Sequence, residues 1–131
     1  MVNNIAINVE KECTIMPIEF ESLPFIPKRM YIVRDIPATE VRGYHAHKET
    51  QQVAICIDGK VRIDLFDGID TKSHIISKGD SLLIPKLIWD SEVYLTGHDI
   101  LMFICSTKYS LDDYILDIQE FISIKTGERV N

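Results

Sequence analysis

The chain has 131 residues and a formal net charge of −6, a length that suits one domain able to bury a core without disulfides or a structural metal. Hydrophobic residues make up 46% and charged residues 26%, the balance of an ordinary globular protein, and no apolar run reaches the roughly 18 residues of a membrane span. The acidic balance argues against nucleic acid, which needs a broad basic face, yet a few local cations would suffice to hold a small phosphorylated ligand.

The opening segment MVNNIAINVEKE has neither a basic n-region nor an apolar h-region, so it does not read as a secretory signal. From there to about residue 106 helical periodicity is nearly absent. Short apolar runs follow one another instead: NNIAINV, CTIMPIEF, RMYIVRDI, HKETQQVAICI, KVRIDLF, SHIISK, DSLLIPKLIW, SEVYL and DILMFICS. Turn signals separate most of them, including Asp58–Gly59, Asp67–Gly68, Lys78–Gly79–Asp80 and the TGHD of 96–99. Asp-Gly between alternating runs predicts a hairpin, because Gly takes positive φ without steric cost. Many short strands so spaced mean an antiparallel sandwich or barrel.

In the middle of the chain Val61, Ile63 and Leu65 alternate with Arg62 and Asp64, which predicts one face to the core and one to water. SLLIPKLIW is apolar on both faces and reads as a strand buried on both sides, or one covered by a partner chain. Residues 109–124 have helical spacing at Leu111, Tyr114, Ile115, Ile118 and Phe121, with Ser110 as cap and Asp112 and Asp113 favouring the first turn. Cys13, Cys56 and Cys105 are odd in number and far apart, which fits core thiols in a reducing cytoplasm. With no repeat, linker or low-complexity stretch, residues 1–131 form one domain.

The most informative segment is Arg42-Gly43-Tyr44-His45-Ala46-His47-Lys48. Residues i and i+2 of a strand share a face, so His45 and His47 project side by side with Ala46 between them on the other side. Two imidazoles on one face suit either a metal site or an acid/base pair near neutral pH. No Gly-rich βαβ signature or phosphate loop suggests a redox or nucleotide cofactor.

His-x-His, then Gln52 and Gly59, followed by Gly79 and Pro85, resembles the two cupin motifs. Gln52 stands where metal cupins carry Glu, and Leu87 and Asp90 stand where their second motif has Gly and His. Two His and one carboxylate can hold non-haem iron, but the ligand count favours a site without metal. A closer match comes from Arg29-Met30-Tyr31, Asp35, the Arg42–Lys48 segment, Gln51-Gln52-Val53, the stretch from Pro85 to Trp89, and STKYSLDDY at 106–114. Together these resemble the sugar 3,4-ketoisomerases, which act on dTDP-4-keto-6-deoxyglucose.

That resemblance implies an all-β, cupin-type (jelly-roll) antiparallel barrel with a short C-terminal helix. It also implies a metal-independent homodimer with N-terminal strand exchange and no cofactor, in the cytoplasm. It makes His45, His47 and Tyr31 the catalytic set and leaves open which histidine works at carbon. Arg29 and Arg42 become candidates for the pyrophosphate, Gln51 or Gln52 for the sugar hydroxyls, and Trp89 for the mouth or the base, with core packing as its default. Strand parity from the histidines favours Gln51 on the inner face, and motif counting favours Gln52. His74 and His98 are expected in solvent, and Asp112–Asp113 at the helix start rather than in a catalytic dyad. The competing functions are a metal-dependent cupin oxygenase, a nucleotide-sugar 3,5-epimerase and a nucleotide-sugar binding module.

Overall fold

The computed structural model describes residues 2–3, 8–9 and 14–130. Its first strands are β1 (Val2–Asn3), β2 (Asn8–Val9), β3 (Thr14–Ile15), β4 (Arg29–Val33), β5 (Val41–His47) and β6 (Gln52–Asp58). Then follow β7 (Lys60–Phe66), β8 (Thr71–Ser77), β9 (Ser81–Ile84), β10 (Trp89–Tyr94), β11 (Ile100–Cys105), β12 (Tyr114–Ile115) and helix α1 (Ile118–Val130). Two five-stranded antiparallel sheets result, in the orders β1-β9-β6-β11-β4 and β12-β5-β10-β7-β8, with β2 and β3 as a separate ribbon. From β4 to β12 every connection except that from β7 to β8 passes from one sheet to the other. This is the jelly-roll path. Among the described residues the sheets face each other as a sandwich and are not joined into the closed barrel expected.

The alternation of β7 holds: Val61 and Ile63 are fully buried, Leu65 packs against the same core, and Arg62 and Asp64 form an ion pair at 3.2 Å outside it. Inward side chains of both sheets make the central cluster, among them Ala54, Cys56, Ile76, Leu82, Leu101 and Phe103. A second cluster, Val53, Ile55, Met102 and Ile104, lies on the outer face of the first sheet under Leu23 and Phe25. A third, Ala46, Trp89, Ile115 and Phe121, lies on the outer face of the second sheet beneath α1. Cys56 and Cys105 are free buried thiols; Cys13 falls outside the described residues.

Three expectations about elements change. Asp58–Gly59 does not close a hairpin, since β6 and β7 belong to different sheets. It carries the chain across, and a Cβ on Gly59 (φ +79°) would meet Asp99 Oδ1 at 2.1 Å, so only glycine fits. Asp67–Gly68 does sit in a hairpin, which pairs Phe66 with Thr71. SLLIPKLIW is not one strand but the whole of β9, a turn and the first residue of β10, so its two apolar ends serve different sheets.

The helix starts later than the spacing predicts. Residues Leu111–Asp113 form a single 3₁₀ turn and Tyr114–Ile115 pair with His47 and Ala46 as an edge strand. The working cap is Asp117, whose Oδ1 accepts the Gln119 N–H at 2.8 Å. Asp117 with Glu120 has the spacing of a capping box, a signal that the apolar spacing upstream overshadowed.

Candidate active site

β5 is bent where the site is built. It pairs with β10 so that Ser91 faces Gly43 and Asp90 faces His45, which leaves Tyr44 as one extra, unpaired residue. Gly43 (φ +99°) and Tyr44 (φ +61°) take the positive φ that such a bulge requires. A Cβ on Gly43 would lie 2.4 Å from Glu92 Oε2. Beyond the bulge His45 and His47 turn to the inner face, and Ala46 turns to the outer one, where it is fully buried beneath Phe121 and Ile115. The end of the strand is tied down by Leu87 N–H to the His47 carbonyl (2.7 Å) and Lys48 N–H to the Asp113 carbonyl (2.8 Å).

The two imidazoles lie 5.1 Å apart, centroid to centroid, and nearly perpendicular. Tyr114 rests against both, at 5.2 and 4.4 Å. His47 is buried and its Nδ1 lies 2.8 Å from Asp113 Oδ2. An ionised carboxylate only accepts, so Nδ1 carries the proton and Nε2 the lone pair. That Nε2 is buried and has no partner among the described residues.

Asp113 also accepts the Thr50 hydroxyl and the Glu49 N–H. Burial pushes its carboxyl up, but the hydrogen bonds from Thr50, Glu49 and His47 outweigh burial and hold it below the usual carboxylate range. Burial lowers the His47 imidazole below its ordinary value despite the opposing pull of Asp113. Burial and the neighbouring His47 push His45 down to about 4. Both rings are therefore neutral at pH 7 and competent as bases.

Tyr31, on β4 in the opposite sheet, stacks on Phe103 at 4.9 Å. Its hydroxyl accepts from Gln52 Nε2 at 3.0 Å, so its own proton is free to donate. Burial raises the phenol and keeps it un-ionised. Gln52 is buried and also touches Cys105 Sγ at 3.4 Å. Gln51 sits instead in the turn between β5 and β6, with its N–H and carbonyl both bonded to Ser106. The parity argument failed because residues 48–51 are that turn and not continuous strand. The Arg29 guanidinium lies 5.6 Å from the Tyr31 ring and 5.5 Å from the Tyr109 ring, within cation–π range. Arg42 is partly exposed and held by Glu40 at 3.0 Å.

Other residues lie apart from this group. Trp89 faces the opposite side of β10 from Asp90 and packs on Phe121 at 5.8 Å in the cluster under the helix. The structure does not bring it to the mouth of the site. His98 is exposed beside Asp58, and His74 lies mid-strand on β8, half-buried and not fully in solvent.

Sequence reasoning missed the role of Asp113 and noted Asp90 only as the residue standing where metal cupins carry a second-motif His. Asp113 does not serve the helix start; it lies against His47. Asp90 is buried with Oδ1 3.7 Å from His45 Nε2. The signal for Asp90 was the phase of Trp89-Asp90-Ser91-Glu92-Val93-Tyr94, which puts Asp90, Glu92 and Tyr94 on one face of a strand.

A jelly roll whose interior holds two neutral imidazoles, a phenol and two supporting carboxyls defines a cupin-like protein built to move protons on a small polar substrate. More particularly, the chain belongs to the family described as WxcM-like, C-terminal (FdtA), whose model matches residues 2–126. It is 32% identical over 104 residues to the TDP-4-oxo-6-deoxy-α-D-glucose-3,4-oxoisomerase of Aneurinibacillus thermoaerophilus, covering 79% of this chain and 75% of that one. The sugar 3,4-ketoisomerase QdtA of Thermoanaerobacterium thermosaccharolyticum, solved with TDP, has 28% identity and a TM-score of 0.91 over 98% of this chain and 95% of that one. A histidine-to-asparagine variant of the same enzyme, solved with TDP-4-keto-6-deoxyglucose, has 26% identity and a TM-score of 0.92 over 100% and 96%. A 3,4-ketoisomerase from Helicobacter canadensis has 30% identity and a TM-score of 0.89 over 96% of each chain.

Proposed function

We infer that this chain is a sugar-nucleotide 3,4-ketoisomerase of deoxysugar biosynthesis, converting a dTDP-linked 4-keto-6-deoxyhexose to its 3-keto isomer. The observation that carries the mechanism is the buried Nε2 of His47, without a partner among the described residues and fixed as a lone pair by Asp113. The C3–H of a 4-keto sugar is acidified by the neighbouring carbonyl. His47 takes that proton, the electron pair becomes the C3–C4 double bond, and negative charge develops on O4. Tyr31 supplies a hydrogen bond to that oxygen. His45 works at the oxygens, bringing a proton to O4 and removing one from O3. His47 then returns its proton to C4. Carbon chemistry goes to His47 and oxygen chemistry to His45 because only His47 has its tautomer set by a carboxylate.

Arg29, held over Tyr31 and Tyr109, and Arg42 are the groups for the pyrophosphate; Arg reads phosphate oxygens as a planar fork. Gln52 takes the sugar hydroxyls through Tyr31, and Gln51 lies at the rim. The enzyme works as a cytoplasmic homodimer. Met30 and Ile32, each more than half exposed on the outer face of the first sheet, support a second copy covering that face. The edge of β9 on which β1 pairs is the place for the exchanged strand. Light scattering tests this: a mass of one chain rejects the dimer.

The function is tested by proton NMR of dTDP-4-keto-6-deoxyglucose in deuterated buffer with chelator-treated protein. A 3-keto species is the expected product, with deuterium at C4 to the extent that the proton on His47 exchanges with solvent before its return. Deuterium at C5 identifies a 3,5-epimerase, and an unchanged spectrum rejects the isomerase.

A further inference from the structure

The mechanism leaves one buried ionisable group beside the reacting histidines unused. Asp90 pairs with His45 in register across β10 and β5 and shares its inner face. Its Oδ1 lies 3.7 Å from His45 Nε2, too long for a hydrogen bond and close enough that a small ring rotation makes one. The carboxyl is essentially inaccessible, at 1% exposure, and Oδ1 has no partner among the described residues. Buried polar atoms are ordinarily paired, so an orphan aimed at a catalytic imidazole calls for an explanation.

Among the described residues burial is what acts on the Asp90 carboxyl, and no cation offsets it. Ile63 and Leu65, packed in the central core, come from β7. Tyr31 and Tyr94 feel its charge from the opposite sheet and from its own strand. Glu92, the next residue on the same face, is likewise buried at 3% exposure. Burial holds both carboxyls above the usual carboxylate range, and the neighbouring Asp90 raises Glu92 further.

Building on the ketoisomerase function, we propose that Asp90 and His45 hold one proton between them, and that the pair gives this proton to O4 of the sugar and recovers one from O3. The protons balance. When His47 removes the C3 proton and the C3–C4 double bond forms, the pair protonates O4 and is left with one negative charge, opposite the imidazolium of His47. When the ketone forms at C3, the O3 proton returns to the pair and the His47 proton goes to C4. An imidazole that is neutral at pH 7 does not itself bring the proton for O4; the Asp90 carboxylic acid does. Asp90 acts through His45 and not on the substrate directly.

Asp90→Asn keeps size and polarity but gives up no proton. In single turnover its rate is expected to fall at least about 100-fold, the usual scale of general acid–base catalysis, with KM changed by less than about threefold. The isotope effect of a 3-deuterated substrate is expected to shrink toward unity, because delivery at oxygen has become limiting. A rate within about threefold of the parent, or a lower rate with the isotope effect undiminished, overturns the proposal; the second result is what a purely structural Asp90 gives. Carbon-13 NMR of the parent enzyme labelled at the aspartate carboxyls answers the question even if the variant does not fold. One neutral aspartic acid at pH 7, titrating in step with the His45 ring, is expected. Aspartates all ionised at pH 7 overturn it. A parent enzyme that fails to isomerise sinks the assigned function instead and leaves the NMR result standing.

Discussion

Asp113→Asn is the most informative single change at His47. The carboxylate accepts on both oxygens: Oδ1 from the Glu49 N–H at 2.7 Å, Oδ2 from His47 Nδ1–H at 2.8 Å and from the Thr50 hydroxyl. An amide has only one accepting atom to offer. If its oxygen stays with Glu49, its NH₂ faces His47 Nδ1 and forces the other tautomer, so Nε2 carries a proton and the base is lost. If it flips, the amide NH₂ faces the exposed Glu49 N–H donor to donor, and a hydrogen bond worth about 0.5–1.5 kcal/mol is lost. The first arrangement avoids that cost and is the one expected. Loss of a general base is worth about 10²–10⁴ in rate, and a carboxylate-to-amide change that sets the wrong tautomer costs about 10⁴ in the serine protease triad. We expect kcat to fall about 10³-fold with KM within about threefold. Steady-state kinetics with stability checked by urea unfolding decides it. A variant that keeps kcat within about threefold refutes the assignment of Asp113 as the group that sets the His47 tautomer, and so refutes the choice of His47 over His45 as carbon base.

Tyr31→Phe removes both a donor to the developing oxyanion and the acceptor for Gln52 Nε2. kcat should fall about 100-fold while dTDP binding, followed by calorimetry, stays near the parent value. Ala46→Leu forces three carbons into the fully packed contact with Ile115 and Phe121. Urea unfolding should show a loss of about 1–3 kcal/mol, with activity reduced because the same strand carries both histidines. Both imidazoles are held below the ordinary histidine value, so they remain neutral, and basic, to lower pH. The acid limb of kcat/KM should therefore lie below pH 6.5 in a pH–rate series; a limb at or above that value contradicts the neutral-base mechanism.

What the sequence revealed and what it hid divide along the range of the interactions. Period-2 alternation is local, so β7 could be read from Val61, Ile63 and Leu65 alone. The His-x-His face was equally local, and the small residue at 46 already pointed to a crowded opposite side. Asp113 was invisible because its partner lies 66 positions earlier, and an acid pair after a serine looks like a helix start. The Asp58–Gly59 turn misled for a related reason. Its chemistry specifies a reversal but not which sheet receives the next strand, and that depends on Asp99, held 39 positions later against Lys60 N–H. Trp89 was a ligand candidate by its residue type and a core residue by default; its position one residue from Asp90 in a regular strand fixes it on the helix side, in the core.

The unpaired Tyr44 sets the phase of everything downstream of it. Arg42 pairs across from Glu92 and shares its side of the sheet; uninterrupted alternation from there would bring positions 44 and 46 inward and send both histidines under α1. The single added residue slips the alternation by one step, so 45 and 47 come inward. A deletion or second insertion at this point would exchange the contents of the two faces, moving imidazoles into the apolar layer and a methyl group into the reaction chamber. The side chain at 44 is exposed and limited mainly by its positive φ, which excludes proline and disfavours β-branched residues, but the count of residues between Gly43 and His45 is fixed. In descendants of this chain, position 44 should therefore be read as a spacer whose presence is inherited while its chemistry drifts.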